Sequence, residues 1–92
     1  MFELRTTSGE QTNELVAQAR AAKQARSFGF QVFVPHGDRW DEESDTAYLL
    51  DLLEPEGWML ENVANAAEGE NQRAYGVRTV TVVGTIYTFR LA

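Results

Sequence analysis

The chain has 92 residues, of which 43% are hydrophobic, with no cysteine and a net charge of −6. This length supports one core rather than two, and the missing cysteine excludes disulfides, thiolate metal sites and cysteine nucleophiles together. No apolar run approaches the roughly 18–20 residues of a membrane-crossing helix, and Met1-Phe2-Glu3-Leu4-Arg5 lacks the basic-then-apolar order of a secretory signal, so a cytoplasmic protein is expected.

The first helix signal is Thr6-Thr7-Ser8-Gly9-Glu10-Gln11. Ser8 as N-cap with Gln11 three residues on makes a capping box, and Glu10 complements the helix dipole in the first turn. The helix is expected to run to about Arg26, with Leu15, Val16, Ala19 and Ala22 as a narrow, alanine-rich apolar stripe. Such a stripe either sits close against a sheet or docks loosely. Phe28, Phe30, Val32 and Val34 then alternate as one face of a strand, and Pro35-His36-Gly37-Asp38 ends it in a turn. Asp41 is placed to cap a second helix of about residues 42–54, whose apolar face is Tyr48, Leu49, Leu52 and Leu53. Pro55 and Gly57 stop that helix.

A strand of about residues 57–67 follows, then a polar hairpin loop at 68–76 and a long final strand at 77–91. The final strand changes phase: Val80 and Val82 are apolar at even positions, whereas Tyr87, Phe89 and Leu91 are apolar at odd ones. Gly84 lies between the two sets, so a β-bulge or bend is expected there. The fold class that follows is α+β: a three- to four-stranded antiparallel sheet with one or two helices packed on one face. Residues 1–92 read as a single domain. In it, 1–27 form an N-terminal helical extension and 28–92 a strand-helix-strand-strand core, with Phe2-Glu3-Leu4-Arg5 available as a short edge strand.

The charge is unevenly spread. Residues 1–27 hold four bases against three acids, a net +1. Residues 28–70 hold only Arg39 against eleven acids, a net −10, and 71–92 hold three arginines and no acid. So acidic a middle repels phosphate backbones, and direct nucleic-acid binding is not expected.

The run Leu49-Leu50-Asp51-Leu52-Leu53-Glu54-Pro55-Glu56-Gly57-Trp58-Met59-Leu60, with the later Ile86-Tyr87-Thr88-Phe89-Arg90, resembles a small bacterial family designated domain of unknown function 4177. The resemblance covers about residues 28–92 and leaves the first helix unmatched. Met59 stands where that family usually has Glu, and the 68–76 loop is long. The resemblance implies a small α+β fold. It brings no reaction with it, because the family has no assigned activity.

Residue by residue, the chemistry is sparse. Gly57-Trp58 reads as a helix stop followed by a core aromatic. His36 is the only histidine; with Asp38 and nearby acids it invites a metal site, but without a second His or a Cys zinc is not expected. No glycine-rich phosphate loop occurs, and the Asp41-Glu42-Glu43-Ser44-Asp45 run reads as a solvated helix start. No cofactor, no metal and no catalytic residue is assigned. The candidate interaction residues are Arg39, Trp40, Asp41, Glu42, Glu43 and Tyr75, because Trp and Arg are enriched as interface anchors.

The expected function is a non-catalytic protein-interaction or accessory module that self-associates, as a homodimer. One alternative is an acidic mimic or inhibitor that docks a basic, nucleic-acid-binding protein. Another is a small-ligand or metal-assisted enzyme built around His36, Asp38 and Tyr75.

Overall fold

In a computed structural model the chain is described over residues 1–36, 41–70 and 80–92, without the side chains of 42, 66–70 and 80–82. The elements are β1 (Phe2–Glu3), α1 (Gly9–Gln24), β2 (Phe30–Pro35), α2 (Glu42–Leu53) with a 3-10 turn (Glu54–Glu56), β3 (Trp58–Glu70) and β4 (Val80–Leu91). They form one four-stranded sheet in the order β1-β2-β4-β3. The edge strand β1 pairs parallel to β2, whereas β4 is antiparallel to both β2 and β3, so the sheet is mixed rather than wholly antiparallel. The reason is that α1 carries the chain back across the sheet before β2 begins, and a helical crossover of this kind makes neighbouring strands parallel. In the same way α2 joins β2 to β3, which run in one direction with β4 inserted between them.

Both helices start as the sequence dictates. Ser8 caps α1 by accepting from the Gln11 amide at 3.4 Å. The reciprocal arm goes elsewhere: Gln11 Oε1 accepts from the backbone N–H of Arg5 at 2.8 Å and of Thr6 at 3.2 Å, which ties the end of β1 to the helix start. The far end of α1 is a Schellman motif: the Arg26 amide donates to the Lys23 carbonyl and the Ser27 amide to that of Ala22, both at 3.0 Å. Its left-handed position is held by Arg26 at φ 54°, where glycine is the usual occupant. Gly57, at φ 91°, makes the corresponding left-handed exit after the 3-10 turn.

The core lies between the helices and one sheet face. It joins Phe2 and Leu4, Leu15 and Ala19 of α1, Phe30, Val32 and Val34 of β2, Leu49 and Leu53 of α2, Trp58, Tyr87 and Phe89. Each large aliphatic side chain buried here contributes about 1.5–3 kcal/mol of transfer free energy. The small side chains of α1 let it approach closely enough for the Trp58 Nε1–H to donate to the Ala19 carbonyl at 3.1 Å. The N-terminal helix therefore packs in cis. Among the described residues, no helix is long and apolar enough to cross a membrane.

The expected irregularity at Gly84 is not there. Gly84 pairs regularly with Pro35 on one side and Ala66 on the other, and the register shift lies in β3 between Leu60 and Asn62, with Glu61 as the extra residue. Gly84 is required for a different reason: a Cβ there would come within 2.4 Å of Phe33 Cε1 and 2.7 Å of the Val34 carbonyl oxygen. Phe33 lies on the sheet face opposite the helices yet is only 1% exposed. Apolar residues thus occupy both faces at this end of the sheet.

Two substitutions test these backbone assignments. Gly84→Ala is expected to destabilise by about 2 kcal/mol, because both the Phe33 ring and backbone must move. Arg26→Gly should instead raise the melting temperature by relieving the left-handed position. Denaturant and thermal melts of the two variants read both effects.

Candidate interaction site

The helix starts of α1 and α2 gather at the end of the sheet where β2 finishes. Asp41 Oδ1 accepts from the amides of Glu43 (3.1 Å) and Ser44 (3.5 Å), and its Oδ2 accepts from the Ser44 hydroxyl at 2.8 Å. The Ser44 hydroxyl first, and the backbone donors after it, hold the Asp41 carboxyl below the ordinary aspartate range. One turn on, Asp45 is raised, chiefly by partial burial, with nearby His36 acting in the opposite sense. His36 donates its amide to the Val83 carbonyl at 2.8 Å, and its Nε2 lies 2.7 Å from Oγ1 of the fully buried Thr85. Thr46 donates its hydroxyl to the Tyr87 phenol at 3.1 Å, and Thr12 hydrogen-bonds the Tyr48 hydroxyl, linking the two helices. This end of the molecule is a mesh of satisfied polar groups that fixes α2 on the sheet.

The sequence candidates divide accordingly. Asp41 is a helix cap, and Glu43 stands exposed in the first turn of α2. Glu42 opens the helix, but its side chain lies outside the described residues, as do Arg39, Trp40 and Tyr75 altogether. Of the three groups suggested for a ligand site, His36 is bonded to Thr85, while Asp38 and Tyr75 lie outside the described residues. No cluster of three or more metal-ligating side chains occurs among the described residues.

A different surface stands out at the opposite end of the sheet. Phe28, expected on the buried face with Phe30, is 102% exposed, because the Schellman motif delays β2 to Phe30. Beside it is an open recess of about 370 Å³ lined by Met1, Ala22, Ser27, Gly29, Phe30, Gln31 and Thr88. Met1 is 61% exposed, and Met59, cross-strand from Arg90 near the same end, is 41% exposed. Even spacing in Phe28-Gly29-Phe30 looks the same whether Phe28 is in the strand or before it. The available signal was Gly29, which interrupts the pair.

No family model and no curated protein matches the chain.

The polar mesh makes a stability prediction. Thr85→Val removes the hydroxyl from a buried position and should cost about 1–2 kcal/mol in a denaturant melt, with Thr85→Ser largely retaining stability. The Asp41 cap adds a pH signature. Its carboxyl titrates lower when folded than when unfolded, so its contribution is present above the ordinary aspartate range and is lost as pH falls through the depressed folded value. Asp41→Asn should flatten that acid-side loss in melting temperature.

Proposed function

We propose that this chain is a non-catalytic protein-interaction or accessory module, acting in the cytoplasm through the end of the domain that carries Phe28. The observation that supports the reading is the complete exposure of Phe28 next to a largely apolar recess that Met1 also lines. A single exposed apolar side chain on a small domain is ordinary. Two beside one concavity, Phe28 next to it and Met1 in its wall, make a feature of the kind that marks interaction sites. The resemblance to the domain of unknown function 4177 family belongs to the same proposal and adds no reaction to it.

A second reading draws on α2. Glu43, Ala47, Asp51 and Glu54 recur at helical spacing and are all exposed, with no base in the last turn of the helix. An open concavity of about 590 Å³ lined by Asp41, Glu43, Thr46, Ala47 and Leu50 lies along that helix. In this reading an acidic surface docks a basic partner, and salt weakens the contact. The Phe28 end is preferred because an aromatic anchor supplies more binding energy than rim carboxylates do.

A photo-crosslinking phenylalanine analogue at position 28, expressed in the native host, tests the first reading. A covalent protein adduct is expected at 28 and not at the exposed Glu14 position on α1. No adduct at 28, or equal adducts at both positions, overturns it.

A further inference from the structure

Resting on the reading that the Phe28 end is the contact surface, we infer that its partner is a second copy of this chain. The two copies dock about a twofold axis, and each Phe28 ring enters the recess of the other. A twofold interface requires a patch complementary to itself, and here the protruding ring and the concavity lie side by side on one surface. Phe28 does not fill its own recess. The paired bonds from Arg26 to Lys23 and from Ser27 to Ala22 set the direction in which the chain leaves α1, and the ring emerges wholly into solvent.

The recess suits a phenyl ring. Its volume of about 370 Å³ admits one, and Ala22, Gly29 and Met1 give it small or apolar walls. Gly29 sits so close to the Phe89 carbonyl that a Cβ would stand 3.3 Å from that oxygen, and leaving it bare keeps the floor open.

Area bears on the strength of the contact. A phenylalanine buries about 150–250 Å². Two rings with the walls they cover bury roughly 600–1,000 Å², which falls below the lower bound of about 1,200 Å² for standard stable interfaces. The contact is therefore a weak, concentration-dependent dimer. Its flanks carry both signs of charge, with exposed Arg26 and Arg90 and the exposed bulge residue Glu61. A twofold rotation can set the arginines of one copy against the carboxylate of the other, which offsets the repulsion between two chains of net charge −6.

Sedimentation velocity on the purified 92-residue chain, from about 10 μM to about 1 mM, reads the equilibrium directly. The expected result is a monomer passing to a dimer, with Phe28→Glu weakening association at least about tenfold and leaving the melting temperature unchanged. Because the chain lacks cysteine, a mixture of Phe28→Cys and Gln31→Cys proteins then tests the geometry under oxidation. Cross-linked 28–31 heterodimers are expected. A strict monomer, a dimer unaffected by Phe28→Glu, or only 28–28 cross-links overturns the inference. If the chain is monomeric while position 28 still cross-links to a different protein in the host, this inference falls and the interaction reading stands. If position 28 cross-links to nothing, both fall.

Discussion

The hydrogen bond from the Trp58 indole to the Ala19 carbonyl is the contact on which the layered arrangement depends. A buried indole N–H without an acceptor is costly, so Trp58 can enter the core only where a carbonyl is within reach. Helix carbonyls come that close only if the helix presents small side chains. The alanine-rich stripe of α1, which buries little surface by itself, is what makes this possible. The Trp58 ring also meets Phe30 at a centroid distance of 5.7 Å, so one side chain joins α1, β2 and β3. The left-handed Gly57 just before it sets the angle at which the indole enters.

The acidic middle of the chain is less uniform in three dimensions than in sequence. Asp41 is consumed by its cap, Asp45 turns partly inward towards His36, and Glu56 is held by Arg20 through two hydrogen bonds of 2.8 and 3.0 Å. Arg20 in turn lowers the Glu56 carboxyl below its ordinary range, mainly through that hydrogen bonding. Lys23 donates to the Glu56 carbonyl, so the basic end of α1 docks on the turn that closes α2. Local pairing, capping and partial burial thus engage three of these acids, and among the described residues Glu43, Asp51 and Glu54 stand exposed along α2 and its C-cap.

What could be read from the sequence was whatever is decided locally. Ser8 and Asp41 cap helices because capping involves residues two or three positions apart, and Gly57-Trp58 announces a stop because its geometry is confined to a few bonds. Partner choice is different. The sequence of Phe2-Glu3 does not say whether it will pair parallel or antiparallel, since the intervening helix decides that. Gly84 signalled a break in phase, but its cause is a phenyl ring on the neighbouring strand. His36 and Thr85 lie 49 residues apart, and neither hints at the other. Phe28 was misplaced because a period of two cannot show where a strand begins. The Trp40 turn and the 68–76 loop, singled out from sequence, lie wholly or largely outside the described residues.

The insertion of β4 between β2 and β3 also bears on how the molecule comes into being. During synthesis β1, α1, β2, α2 and β3 all leave the ribosome before β4, yet in the sheet β2 and β3 are not neighbours and each pairs with β4 instead. Until β4 emerges, the edges of β2 and β3 that will pair with it have no partner, and the faces that will cover Tyr87 and Phe89 have nothing to close on. The helices and the β1–β2 pair can form early, but β3 cannot join the sheet until β4 is in place. Closure of the four-stranded sheet therefore awaits β4.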